Sequence, residues 1–126
     1  MTEAARAQLA AAMKPRKRGR FPVAPKAERT VDGVVFASKR EARRYSELKL
    51  MERAGEITHL ELQPEFKVMI SGHLLCKFKA DFRYFRNGER IVEDVKSSGT
   101  AKDAAYRLRK RAAELAYFIQ VQETGK

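Results

Sequence analysis

The run from Lys77 to Lys96, KFKADFRYFRNGERIVEDVK, constrains this chain more than any other stretch. Apolar and polar residues alternate from Lys77 to Arg86 and meet Asn87-Gly88, and a second run, Glu89 to Lys96, returns. Asn-Gly between two strand-like runs is a strong hairpin signal, because a two-residue turn of matching twist needs positive φ at both positions. Strand side chains point alternately to opposite faces. The pattern therefore predicts Lys77, Lys79, Asp81 and Arg83 on one face of the first strand, with Phe78, Ala80, Phe82 and Tyr84 on the other. On the second strand Val92, Asp94 and Lys96 share a face, and Ile91, Glu93 and Val95 share the opposite one. One face of the hairpin is expected to bring Asp81, Asp94 and Lys96 together.

Two carboxylates a few ångströms apart repel unless a proton or a cation lies between them. A hard divalent ion such as Mg²⁺ takes oxygen ligands and is commonly held by one or two carboxylates plus substrate phosphate. A lysine two residues beyond the second carboxylate can orient a water or stabilise charge on a phosphate. Phosphodiester hydrolysis is the reaction class these parts suit. The plain alternative is a set of weak surface ion pairs on a solvated strand.

At 126 residues the chain has the size of one domain. A single cysteine, Cys76, excludes an internal disulfide and a cysteine zinc cluster, and His59 and His73 are isolated. No apolar run approaches the ~20 residues of a membrane span, and no signal-peptide core is present, so a cytoplasmic protein is expected. The net charge of +11 favours an anionic partner, nucleic acid before membrane surface. Residues 1–30 hold eight Lys/Arg and two Glu, with Lys14, Arg16, Lys17, Arg18 and Arg20 clustered around Pro15 and ahead of Pro22 and Pro25. Such a segment reads as a disordered arm that grasps phosphates, or as a solubilising tail. The domain proper is expected over 31–126.

Thr30-Val31, Asp32-Gly33 and Val34-Val35-Phe36 suggest a small hairpin. Ser38-Lys39-Arg40-Glu41 has the capping-box pattern, opening a helix that runs to about Ala54 and stops at Gly55. Ala42, Tyr45, Leu48 and Met51/Glu52 trace its packing face. Arg40, Arg43, Arg44 and Lys49 are left for a DNA backbone or for solvent. Ile57–Leu62 alternates until Gln63-Pro64 breaks it, and Glu65–Ile70 reads as a strand closed by Ser71-Gly72-His73. After the central hairpin and a Ser97-Ser98-Gly99 loop, Thr100 with Asp103 predicts a helix over 101–116. Its apolar face would be Ala104, Ala105, Leu108, Ala112 and Leu115, and its basic side Lys102, Arg107, Arg109, Lys110 and Arg111. Tyr117–Gln122 would be a last strand. The order is helix, three strands, helix, strand: an α/β fold with a mixed sheet flanked by helices.

That order, with Asp81 and Asp94-Val95-Lys96, resembles the PD-(D/E)XK nuclease superfamily over roughly residues 36–122. Gly33, Phe36, Ser38, Glu41, Leu60-Glu61-Leu62-Gln63-Pro64 and Glu93-Asp94-Val95-Lys96 together look like an uncharacterised phage-encoded endonuclease family. The chain is also similar to phage and archaeal junction-resolving enzymes, whose first helix carries a catalytic glutamate at the position of Glu41. Ala80 stands where the superfamily motif often has proline. The resemblance implies a restriction-endonuclease-like αβββαβ core. It implies Asp81 and Asp94 as ligands of Mg²⁺, for which Mn²⁺ can substitute, with Glu41 assisting and Lys96 acting on water or phosphate. Glu41 is alternatively only the cap partner of Ser38. Gln63 either supports the site or ends a strand. Parity selects Asp94 over Glu93 for the motif, and Glu93 enters only if a bulge shifts the register.

The resulting expectation is a metal-dependent endodeoxyribonuclease of phage or prophage origin, acting in the infected bacterial cell and selective for branched DNA such as a four-way junction. Cutting two strands with one site per chain implies a homodimer. Basic residues expected to track the backbone are those of the arm together with Arg40, Arg44, Arg107, Lys110 and Arg111. The alternatives are a sequence-specific or general restriction-type nuclease, and a non-catalytic nucleic-acid-binding protein on a degenerate nuclease fold.

Overall fold

The computed structural model describes residues 23–96 and 103–125. The expected basic cluster Lys14–Arg20 and the loop Ser97–Gly99 lie outside the described residues, as do Thr100, Ala101 and Lys102. The folded part reaches back before Thr30. A 3-10 turn, Lys26–Arg29, is tied down by the Arg29 guanidinium, which donates to the Ala24 and Phe36 carbonyls at 2.8 Å each.

β1 (Thr30–Val31) and β2 (Val34–Val35) form the small hairpin, its turn made by Asp32 and Gly33 at φ 51 and 77. α1 spans Lys39–Arg53, capped by the Ser38 hydroxyl, which accepts from the Glu41 N–H at 3.1 Å. Its end is closed by Gly55 at φ 80, whose N–H reaches the Glu52 carbonyl, while the Glu56 N–H reaches that of Met51. Ala42, Tyr45 and Leu48, spaced three apart, are buried as the periodicity predicts, and Glu41 is buried with them.

β3 (Thr58–Leu62), β6 (Phe82–Arg86), β7 (Glu89–Val95) and β8 (Val121–Thr124) make a four-stranded sheet in the order β3-β6-β7-β8. The first two pairings are antiparallel and β7-β8 is parallel. β4 (Glu65–Ile70) and β5 (His73–Lys79) form a separate two-stranded ribbon. Without that ribbon the sequence of main elements is α1, β3, β6, β7, α2, β8. The result is an α/β fold with a mixed sheet flanked by helices.

The single strand expected over Lys77–Arg86 is broken. β5 ends at Lys79 in the ribbon and β6 begins at Phe82 in the main sheet. At the corner, the Ala80 N–H donates to the Pro64 carbonyl, the Gln63 N–H to the Asp81 carbonyl, and the Asp81 N–H to the Glu93 carbonyl. The reason lies in the two cores. Phe78 and Ala80 pack with Phe66, Val68, Val92, Tyr106, Ala113 and Val121 on the α2 side. Phe82 and Tyr84 pack with Phe36, Ala42, Tyr45, Leu48, Ile57 and Val95 on the α1 side. A straight strand would send all four to one side, and the kink at Ala80-Asp81 shares them between both.

α2 spans Ala104–Tyr117, not 101–116, and its N-cap is Asp103, whose carboxylate accepts from the Ala105 N–H at 2.9 Å. The expected buried face is also corrected. Tyr106 and Ala113 face the core, whereas Leu108 is 72% and Leu115 61% exposed. Tyr106 fills the gap beside Phe78 at 6.0 Å between ring centroids, and Tyr117 meets Phe66 at 5.2 Å. These aromatic contacts with the ribbon set the rotation of the helix, over the higher hydrophobicity of its leucines. Tyr117 therefore ends the helix, Phe118 takes a left-handed φ of 55 as its cap, and the last strand starts at Val121 instead of Tyr117. No helix among the described residues is long and apolar enough to cross a membrane.

Candidate active site

The corner that breaks the expected strand also places Asp81. Its carboxylate accepts from the Val95 N–H at 2.7 Å, which fastens it to the end of β7. Asp94, one residue earlier on β7, is fully buried, and neither of its carboxylate oxygens has a hydrogen-bond partner among the described residues. The Lys96 ammonium lies 3.5 Å from Asp94 Oδ2 and 4.7 Å from the centre of the Tyr106 ring. A buried carboxylate with orphaned oxygens is costly and needs a counter-charge or a proton.

Burial lifts the carboxyl of Asp94 to about 7, and the neighbouring Asp81 carboxyl pushes the same way against the pull of Lys96. Burial likewise lifts Asp81 to about 6; the nearness of Asp94 and the Val95 N–H oppose this, while Glu41 adds to it. The two acids titrate as one coupled unit, holding a proton that free carboxyls would have lost.

Glu41 stands on the α1 side of this pair. Its carboxylate takes a 3.3 Å hydrogen bond from the Ser38 hydroxyl, and the same hydroxyl accepts from the Glu41 N–H. The cap is therefore real, and the Glu41 carboxylate is still near enough to disturb Asp81. Glu41, Asp81 and Asp94 form a chain of carboxylates with Asp81 in the middle. Among the described residues no three acidic, histidine or cysteine side chains converge as a ready-made cage for a metal ion. The pair Asp81 and Asp94 fits a divalent cation on other grounds. Asp94 offers two oxygens that accept no hydrogen bond among the described residues, the pair resists carrying both its charges without a cation, and a hard ion such as Mg²⁺ needs only one or two carboxylates when phosphate completes its shell.

Glu93 and Asp94 project to opposite faces of β7, with no register shift between β6 and β7. Glu93 is fully buried on the α1 side, where it accepts from Arg44 Nε at 2.5 Å and from the Tyr84 hydroxyl at 2.8 Å. It is satisfied there and takes no part in the Asp81–Asp94 pair. Arg44, expected to track a DNA backbone, is drawn inward by Glu93 and also held by Glu47 at 3.1 Å. The burial that lowers its pKa is outweighed by these carboxylates, so it is a firmly fixed cation. Gln63 contributes its backbone N–H to the Asp81 carbonyl, and its side chain is exposed.

Two residues beside the site carried no recognisable sequence signal. Tyr106 donates its hydroxyl to Glu123 Oε2 at 2.8 Å and supports Lys96 with its ring. Glu123 sits opposite Asp94 across the parallel β7-β8 pairing and also meets Lys110 Nζ at 3.4 Å. That pairing, and not any local motif, brings them in. Of the expected backbone-tracking cations on α2, Lys110 is thus engaged by Glu123, Arg111 lies 3.6 Å from Glu114, and Arg107 is exposed. Arg40 donates to the Gly125 carbonyl at 2.5 Å and, with Arg43, Arg44, Val95 and Thr124, lines an open cleft of about 470 Å³ at the same end of the sheet.

A family model described as a protein of unknown function (DUF1064) matches residues 24–124. The chain belongs to the DUF1064 family. The match takes in α1, the whole sheet, the ribbon and α2, and so all four of Glu41, Asp81, Asp94 and Lys96. No curated protein and no solved structure matches this DUF1064 chain.

The raised carboxyls make a stability prediction. A carboxyl whose folded pKa lies above its unfolded value binds its proton more tightly in the fold. Stability is then full below the unfolded value near 4 and is lost as pH rises through about 6 to 7. In chelator, the melting temperature of the DUF1064 protein should fall between pH 5 and pH 8, by an amount worth on the order of 2 kcal/mol. Millimolar Mg²⁺ at pH 8 should restore it by binding only the fold. Thermal melts at the two pH values, with and without Mg²⁺, measure this.

Proposed function

We propose that this DUF1064 protein is a divalent-metal-dependent endodeoxyribonuclease. The observation that carries the reading is the buried Asp81–Asp94 pair, with the orphaned oxygens of Asp94 and the Lys96 ammonium 3.5 Å away. Asp81 and Asp94 would hold Mg²⁺, or Mn²⁺ in its place, with Glu41 assisting from α1. When bound, the ion supplies Lewis-acid polarisation of a phosphoryl oxygen and a lowered pKa for water.

The residues of the chain do the rest. Lys96, held between Asp94 and the Tyr106 face, presents N–H donors to a phosphate oxygen or to the attacking water. Asp81 is fixed by the Val95 N–H, so its other oxygen keeps its aim while charge changes beside it. Hydrolysis joins the water oxygen to phosphorus and breaks one ester P–O bond, and the departing alkoxide takes up a proton. The arginine-lined cleft beside Val95 and Thr124 suits a neighbouring backbone phosphate, since Arg43 makes no ion pair among the described residues. The surplus of basic charge supports an extended polyanionic substrate.

We further propose branched DNA as the preferred substrate, a homodimer as the working form and the cytoplasm of a phage-infected bacterium as the setting. These rest on the resemblance to junction-resolving enzymes and on the single site per chain. Incubation with linear, nicked, flapped and four-way DNA, each with Mg²⁺ or with chelator, tests the reading. Cleavage should need the metal and run about tenfold faster on branched DNA, a difference of ~1.4 kcal/mol in the barrier. Equal rates on all substrates would leave a general nuclease. Binding without cleavage under any metal would leave a non-catalytic DNA-binding protein.

A further inference from the structure

The β4-β5 ribbon has a surface that its packing role does not explain. Its inner face is used: Phe66, Val68 and Phe78 are buried against α2. Its outer face is not. There Lys67 and Lys77 stand directly opposite each other in the ladder, and Lys79 pairs across with Glu65. Like charges directly opposed on neighbouring strands are destabilising. None of Lys67, Lys77 and Lys79 makes an ion pair among the described residues, so nothing described there relieves the repulsion.

Farther out the character changes. Beyond the register shift after Val68, the ribbon carries Met69, Ile70, Leu74 and Leu75. All four are about half exposed or more, Leu75 reaching 60%. Four exposed apolar residues at the tip of a two-stranded ribbon are an unusual expense of apolar surface in a small domain. The base of the ribbon, by contrast, joins the candidate site: Lys79 is followed by Ala80 and Asp81, and the Ala80 N–H is bonded to Pro64. Six residues of strand carry the tip about 20 Å from that base.

We propose that the β4-β5 ribbon is a DNA-engaging arm, with a lysine stem that lies along backbone phosphates and an apolar tip that inserts against bases where the duplex is opened or bent. Charge complementarity selects this occupant. Facing lysines need anions between them, and a polyanion threading from the site along the ribbon supplies them. Apolar wedges flanked by cations are a general means of unstacking or kinking a base step. The inference rests on the nucleic-acid reading of the site, and it supplies what that reading lacked, an element able to enter a groove or a branch point.

Two variants of the full chain separate stem from tip. Binding is measured in chelator, where no cutting occurs, by fluorescence anisotropy on a four-way junction over a range of salt. Lys67→Gln/Lys77→Gln should weaken binding about tenfold near 0.1 M salt and flatten the log–log salt slope by about two. Its melting temperature should be no lower than that of the wild type. Met69→Ser/Leu74→Ser should keep the slope but lose the fluorescence rise of a 2-aminopurine placed at the branch, which reports unstacking. An unchanged slope in the first variant together with an unchanged 2-aminopurine signal in the second would overturn the proposal. So would a tip variant that turns a dimer into a monomer in sedimentation while binding DNA normally per chain, since the tip would then serve a second copy. Failure of the nuclease reading shows separately, as absence of cutting by the wild type in Mg²⁺.

Discussion

Asp94→Asn is expected to abolish cleavage and to leave DNA affinity near that of the wild type. The asparagine keeps the volume of the side chain and one acceptor oxygen, so the buried end of β7 has no cavity to collapse into. It removes the charge that a cation would answer, and with it the acid that shares a proton with Asp81. A lost electrostatic contact to the reacting centre costs on the order of 10²–10³-fold in rate, and a lost metal ligand at least as much. On the proposed reading, affinity would rest on lysines and arginines that the substitution does not touch. The same change should raise the melting temperature at pH 8 in chelator, because it deletes a buried charge whose two oxygens accept no hydrogen bond among the described residues. Cleavage assays with junction DNA, anisotropy titrations and thermal melts read the three effects separately. A variant that cuts at the wild-type rate in Mg²⁺ would remove Asp94 from the site.

The elements that stood plainly in the sequence are those fixed by nearby residues. Ser38 caps α1 through a bond to a residue three positions on, Gly55 stops it at a φ of 80, and Ala42, Tyr45 and Leu48 repeat at helical spacing. Asn87-Gly88 joins β6 to β7 at φ 51 and 79, as the turn chemistry demands. Parity alone separates Glu93 from Asp94. The corner at Ala80-Asp81 was not legible, since Phe78, Ala80, Phe82 and Tyr84 continue one alternation. Only the presence of a core on each side of the sheet shows why the chain crosses over between them. The rotation of α2 was hidden for a related reason. Leu108 and Leu115 outrank Tyr106 and Ala113 in hydrophobicity, and the choice between these faces belongs to Phe66 and Phe78 on a distant ribbon. Tyr106 and Glu123 entered the site through the β7-β8 register, which no local pattern encodes.

Arg44 is the sharpest case of a role that the sequence could not separate from its alternative, and its substitution has the largest expected effect on stability. On the surface of α1 it reads as one more cation for DNA. In the fold it reaches 49 residues along the chain to Glu93, a carboxylate with no solvent exposure, with contacts of 2.5 Å from Nε and 3.3 Å from Nη2. Tyr84 donates the remaining bond to Glu93 and has its own hydroxyl pushed up to about 12, chiefly by burial and then by that carboxylate. Arg44→Ala would leave Glu93 buried with the Tyr84 hydroxyl as its one hydrogen-bond donor among the described residues. Breaking one side of a buried pair costs about 3–5 kcal/mol, and for a domain of this size the melting temperature should drop by roughly 10–20 °C. The double variant Arg44→Met/Glu93→Leu should recover most of that loss, because it removes both charges and fills the same space with apolar atoms. The pair lies between α1, which carries Glu41, and β7, which carries Asp94, so the single variant should also slow cleavage through displaced carboxylates. If instead Arg44 serves the DNA backbone, Arg44→Ala melts like the wild type and flattens the salt dependence of binding by about one unit. Melting curves of the single and double variants, set beside their salt titrations, decide between a pin that holds β7 to α1 and a contact to phosphate.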